Sequence, residues 1–266
     1  MMTRLLVPVI SMAALGLLFG AGLAYALKVL GIKIDETLTL ILARLPGANC
    51  GACGKAGCAG FAEALKKGEA LPSSCVVANE EARRSIAELL GVEYSAKTKT
   101  VAAVLCNGGV NAADKYVYKG IKSCKADVLI FGGHKACGYG CLGHGDCVRA
   151  CPFEAIKMTK QGIPEVDASK CTACGKCLEA CPKNLYILLP VEQSHYVKCN
   201  SKDPGPAVRK VCKAGCIACG VCEKLSEGAF KVTDNLARLD YESAKAKDMD
   251  LEKIAQKCPT KVIAAR

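Results

Sequence analysis

The chain has 266 residues, enough for two or three small domains, yet it contains no Trp, five Phe and twenty Cys. Large aromatic side chains normally supply much of a core, so a chain this poor in them organises itself around something bound to its thiols; a disulfide scaffold fits badly, being usually shorter and without such tight cysteine runs, and zinc remains the competing guest. The formal charge of +11 does not call for nucleic acid, because a 4Fe–4S core with four thiolates carries about −2, and five of them would leave the loaded chain near about +1.

In chain order, residues 5–27 are 23 residues without a charge and predict a single-pass transmembrane helix, an anchor over 1–30. Arg4 precedes it, and Lys28, Lys33 and Arg44 follow, which places the rest of the chain on the cytoplasmic face of the inner membrane. Ala24-Tyr25-Ala26 offers a signal-peptidase site as the competing reading, disfavoured by the length of the apolar run. Gly16, Gly20 and Gly22 form a small-residue face suited to a neighbouring membrane helix.

Residues 34–45 predict a short helix leading into the first cysteine group, Cys50, Cys53, Cys58 and Cys75. Three of these lie in a Gly/Ala loop that suits a cube better than a tetrahedral ion, so residues 31–95 form a small 4Fe–4S domain, with zinc as the alternative. Residues 80–90 carry Ile86, Leu89 and Leu90 on one face behind two acidic residues, an amphipathic helix. A polar linker follows at 94–100, then a connecting segment, 96–135, that contains Cys106 and Cys124 and two expected strands, 101–105 and 128–131.

The most specific signal is Cys171-x2-Cys174-x2-Cys177-x3-Cys181-Pro182. Three ligands of a cube must come from one tight loop, and in two-cluster ferredoxins the Cys before Pro serves the other cluster. Its partner is Cys137-x3-Cys141-x5-Cys147-x3-Cys151-Pro152. The crossed pattern assigns Cys137, Cys141, Cys147 and Cys181 to one cluster, and Cys151, Cys171, Cys174 and Cys177 to the other, in a two-cluster ferredoxin domain at 136–190 that includes a strand at 186–189. Residues 138–143 match GxGxxG, but Cys141 lies inside the match and a ligand loop continues beyond it, so dinucleotide binding is rejected.

The C-terminal iron–sulfur region, 191–266, opens with a turn-rich loop at 200–206 and holds Cys216, Cys219 and Cys222. Where a ferredoxin would next place Cys-Pro there is Leu225-Ser226, so the unpaired Cys258-Pro259 supplies the fourth ligand of a half-module. Cys106, Cys124, Cys199 and Cys212 remain. Their contexts repeat faintly, Cys-Asn answered by Cys-Lys-Ala, and together they would hold a fifth cluster, with free thiols or redox pairs as the alternative. His144 has no partner for a Rieske-type role, His134 and His195 read as loop or core residues, and no hydrolase triad, HExxH or P-loop occurs. No catalytic residue is expected.

These elements together predict an α+β chain: a transmembrane helix, a small 4Fe–4S domain, a two-cluster ferredoxin-like module and a C-terminal half-module. The sequences CGACGKAGCAGFAEAL, GCLGHGDCVRACPFEAI and CTACGKCLEACP after an apolar helix resemble the B subunits of the Rnf complex, the ion-translocating ferredoxin:NAD+ oxidoreductase, over essentially the whole chain. The resemblance implies a membrane-anchored electron-transfer subunit that exchanges electrons with soluble ferredoxin and with the other subunits of the complex, nucleotide, flavin and ion transport belonging to those other subunits. A ferredoxin-like subunit of another membrane enzyme, such as a hydrogenase, and a non-redox metal-binding scaffold are the alternatives.

Overall fold

The computed structural model describes residues 2–30, 35–96 and 98–265. Lys33, the start of the expected 34–45 helix and Lys97 of the linker lie outside the described residues, as do the side chains of residues 2–9. Helix α1 spans Met2–Leu30. Among the described residues, however, no helix is long and apolar enough to cross a membrane. The transmembrane helix in the expected fold class, the membrane-anchored form of the function and the single-pass, cytoplasm-facing localisation are therefore overturned.

Helices α2 (Glu36–Arg44), α3 (Gly57–Lys66) and α4 (Glu80–Leu90) pack around Ile41, Phe61, Leu65 and Ile86. Asp35 caps α2 by accepting from the N–H groups of Thr37 and Leu38, and Asn79 caps α4 by accepting from that of Ala82. Gly91, in the left-handed region, closes α4.

Strand β1 (Thr100–Val104) follows, then α5 (Cys124–Val128), α6 (Asp146–Arg149), β2 (Ile156–Met158), β3 (Pro164–Val166), α7 (Lys176–Ala180) and β4 (Tyr186–Pro190). β1 pairs antiparallel with β4, Val104 opposite Tyr186, so the connecting segment completes the core of the ferredoxin module rather than standing apart from it. β2 and β3 form a hairpin. The strand expected at 128–131 is absent: Val128 ends α5, and residues 129–131 turn back with Phe131 at φ 47°. Val, Leu, Ile and Phe favour strands, but here tertiary bonds close a turn instead.

The C-terminal region contains β5 (His195–Val197), α8 (Gly205–Val211), α9 (Val221–Leu225), β6 (Phe230–Thr233), β7 (Leu236–Leu239), α10 (Tyr241–Ala246), α11 (Leu251–Gln256) and β8 (Ile263–Ala265). β6 and β7 form a hairpin about Asp234 and Asn235, both with positive φ, and β5 pairs antiparallel with β8. The expected loop at 200–206 gives way to α8 from Gly205. Val197, Phe230, Leu236, Ile254 and Val262 make its core.

Candidate iron–sulfur centres

The twenty thiols gather in five groups of four, and two cysteines change places relative to the sequence-based grouping. Cys50, Cys53, Cys58 and Cys75 line one cavity. Cys216, Cys219, Cys222 and Cys258 line another, and here the structure brings together the expected set. Cys171, Cys174 and Cys177 collect around Cys151, again as expected, close enough for their charges to act on one another. The remaining sets differ. Cys124 joins Cys141, Cys147 and Cys181, whereas Cys137 joins Cys106, Cys199 and Cys212.

Local pairing explains the exchange. Residues 113–115 run beside 134–136, with Ala136 N–H donating to Ala113 O at 2.8 Å and Lys115 N–H to His134 O at 2.7 Å. Cys137 is thereby carried toward Cys106, and the bridge between Ala112 and Cys212 brings the C-terminal thiols to the same place. Cys124, at the start of α5, is pointed at by the backbone N–H groups of His144 and Asp146. Asp146 also accepts from Ser123 Oγ (2.9 Å) and Lys125 N–H (3.1 Å), which fastens α5 to the 141–147 loop.

The groups suit a cluster guest. Four of the sets line small recesses of similar size, each partly open to solvent. Backbone N–H groups donate to the sulfurs: Ala102 to Cys171, Gly108 and Cys141 to Cys106, Ala155 to Cys151, Leu185 to Cys181 and Ser201 to Cys199, at 3.4–3.5 Å. Such bonds stabilise thiolate ligands and raise cluster potentials. Two buried hydroxyls, Thr172 Oγ1 and Tyr186 Oη, face the sulfurs of Cys174 and Cys147, where each would donate to a thiolate. Burial, reinforced by neighbouring thiols, pushes Cys137 and Cys222 up to about 11 and Cys177 to about 12, and lifts Cys141 further. With thiols this hard to ionise, a bound cation would be what makes them thiolates.

The ligand loops reuse one backbone. Ala173 and Ala218 have φ of 58° and 52°, and Gly175 and Gly220, two residues on, have 80° and 74°. Between Cys106 and the rest of its set, Gly109 sits at φ 49° so close to Gln161 that an added Cβ would collide with its carbonyl oxygen.

Sequence reasoning missed one polar centre. Asp127 is fully buried, and its Oδ2 faces His134 Nδ1 (2.5 Å) and His144 Nε2 (2.9 Å), while Oδ1 accepts from the His134 N–H at 3.1 Å. Burial opposes its charge, but the bonds from both histidines outweigh that and hold its carboxyl below the usual carboxylate range. These bonds tie the 127–134 turn to the 141–147 loop, and no local motif announces them. His195, by contrast, faces Glu252 at 2.8 Å across the C-terminal core.

Two family models match: an Fe-S cluster family over residues 45–77 and a 4Fe-4S dicluster domain over residues 136–185. The chain is thus an iron–sulfur protein of the ferredoxin-containing class. Full-length relatives narrow the identification. The B subunit of the Na(+)-translocating ferredoxin:NAD(+) oxidoreductase complex of Acetobacterium woodii is 40% identical over 99% of this chain and 79% of its own length. The proton-translocating counterpart of Clostridium ljungdahlii is also 40% identical, over 99% of this chain and 93% of that protein. The B subunit of the ion-translocating oxidoreductase complex of Methanosarcina acetivorans is 38% identical over 88% and 90%. The chain belongs to this family, the B subunits of the ion-translocating oxidoreductase (Rnf) complexes, and as such is one component of a multi-subunit oxidoreductase without a complete active site of its own.

Proposed function

We propose that the chain is the electron relay of such a complex, holding five 4Fe–4S clusters in the thiol sets described above and passing electrons between soluble ferredoxin and the other subunits. Each cluster, when bound, takes up and gives back one electron. The observation that carries this reading is the linkage of the thiol sets end to end. Cys50 acts electrostatically on Cys174, Cys147 on Cys177, and Cys106 on Cys141, whose N–H donates to the Cys106 sulfur at 3.4 Å. The N–H of Cys216 in turn points at Cys199. Every set thus lies near the next, in the order 50–75, 151–177, 124–181, 106–212 and 216–258.

On this reading the working units are a small 4Fe–4S domain at 31–95, a connecting segment at 96–135, a two-cluster ferredoxin module at 136–190 and a C-terminal iron–sulfur region at 191–266. The connecting segment contributes Cys106 and Cys124 to two different sets. Nucleotide and flavin chemistry would lie on other subunits, consistent with residues 138–143 serving as a thiol loop between Cys137 and Cys141. The relatives' names include both sodium- and proton-translocating complexes, so the coupling ion does not follow from this chain's likeness to them.

Iron and acid-labile sulfide analysis of anaerobically purified chain, with a dithionite titration followed by EPR, tests the proposal. About twenty iron atoms per chain and a visible absorbance that bleaches on reduction are expected. About sixteen iron atoms would remove the fifth set, and a colourless zinc protein would remove the relay altogether.

A further inference from the structure

The segment between the 106 and 137 thiols presents an unusual surface. Phe131, Leu129, Val117 and Ile121 are 88, 84, 82 and 77% exposed, and Ile130 adds to them. A monomer seldom shows so many large apolar side chains within one short segment unless they meet a partner. They are held outward. Phe131 sits in the left-handed region, disfavoured by about 1 kcal/mol for a residue of this size, and the carbonyls of Ile130 and Phe131 are fixed by Tyr116 Oη (2.6 Å) and Lys115 Nζ (3.0 Å). Tyr118 Oη fixes the Ile121 carbonyl at 3.0 Å.

Charge surrounds the patch with one sign. Lys115, Lys119, Lys122 and Lys125 are exposed on the same segment. Its acidic groups are engaged: Asp127 is buried between His134 and His144, Asp114 pairs with Lys135 at 2.8 Å, and Asp146 beneath it is held by Ser123 and Arg149. The same segment carries Cys124, with Cys141, Cys147 and Cys181 around it. An apolar centre with a lysine rim beside a buried redox site fits a macromolecule that is acidic and must approach closely, and not a small anion, which would have no use for Phe131 or Leu129.

Resting on the relay reading, we propose that this face, residues 115–131, is the docking surface of a small acidic electron-carrier protein, and that the thiol set containing Cys124 is where its electrons enter or leave. The lysines steer the carrier and set its orientation, while Leu129 and Phe131 form the desolvated centre of the contact.

The test uses the full chain, purified anaerobically, and a strongly acidic two-cluster ferredoxin as probe, with binding measured by calorimetry in the oxidised state. Wild-type binding should weaken about tenfold or more between about 50 and about 500 mM salt. The double variant Leu129→Ser/Phe131→Ser should weaken binding about tenfold, and Lys119→Glu/Lys122→Glu should do the same and flatten the salt dependence. Iron content and the dithionite-bleached spectrum of both variants should match wild type, since these side chains are exposed. Wild-type affinity in both variants overturns the proposal but leaves the relay reading standing. Loss of co-purifying subunits from the assembled complex in these variants also overturns it, assigning the face to a subunit interface. If wild-type chain itself neither binds nor exchanges electrons with the ferredoxin while dithionite still reduces its clusters, the relay reading fails with it.

Discussion

Residues 171–177 and 216–222 are two copies of one loop in different company. Both run Cys-x-Ala-Cys-Gly-x-Cys, both place Ala then Gly in the left-handed region, and both lead into a single helical turn, α7 or α9. Four residues after the last Cys the copies part. Cys181 accepts from the Leu185 N–H at 3.5 Å and turns to the 124–147 thiols. Ser226, wholly buried, accepts from the Phe230 N–H at 2.7 Å and serves only the backbone. The fourth thiol also comes from opposite directions, Cys151 before the first loop and Cys258 after the second. One loop therefore sits inside a crossed pair and the other closes on itself, so the first half-module exchanges thiols with a neighbour and the second does not.

The largest expected effects test that difference directly. Cys171→Ala and Cys216→Ala should each lower iron by about four atoms per chain, but the first should also lower the thermal midpoint more, because Cys171 belongs to the larger core around β1 and β4. Equal thermal losses would contradict the exchange described above. In the same series, Cys124→Ala should remove the EPR component lost in Cys147→Ala, and Cys137→Ala the one lost in Cys212→Ala. The opposite pairing would restore the crossed assignment expected from the motif.

Next in size is the clamp on the ferredoxin side. Asp127→Asn keeps the shape but gives up the charge accepted from His134 and His144, and should cost about 2–4 kcal/mol at pH 7. The folded carboxyl lies below its ordinary value, so its contribution is present above the ordinary carboxylate range and is lost as pH falls through the folded value. The gap between wild type and Asn variant in denaturant midpoints should accordingly close in acid; a gap that widens there would refute the clamp.

Smaller again, Ser226→Ala should cost about 1–3 kcal/mol by stranding the buried Phe230 N–H. Ser226→Cys should keep the fold and add no iron, because Cys258 already completes the set of Cys216, Cys219 and Cys222. The smallest effect is expected where the copies agree: Ala173→Gly and Ala218→Gly should each change stability by less than about 1 kcal/mol and in the same direction, relief of the left-handed strain being offset by a freer unfolded chain. Opposite signs, measured by chemical denaturation, would show that the two loops are not equivalent.

Much of this was legible wherever ligands are local. The runs at 50–58, 171–177 and 216–222 carry their own loops, and Cys258 could be assigned because a Cys-Pro stood alone after a loop lacking one. The partition of Cys124 and Cys137 was not legible. It depends on the pairing of 113–115 with 134–136 and of Ala112 with Cys212, contacts distant in sequence and without a hydrophobic pattern to mark them. The apolar run at 128–131 misled for a related reason. Its composition suits a strand, but Asp127, bound to the His134 backbone and ring, folds it into a turn. The anchor expected at 5–27 rested on the uncharged length of the run, and among the described residues no helix is long and apolar enough to cross a membrane.

The cavity lined by Cys106, Cys137, Cys199 and Cys212 draws on the connecting segment, the ferredoxin module and the C-terminal region at once. A group bound there would be a rivet through three parts of the chain rather than an ornament of one. Closing so wide a loop constrains the unfolded chain strongly, and it fixes a sequence of assembly: this centre can be completed only after residue 212 has been made and folded back, later than the two centres within 124–181. Loss of such a group would remove one tie between the C-terminal region and the module and leave the backbone bonds from Ala113 N–H to Val211 O and from Lys213 N–H to Asn111 O to hold them together.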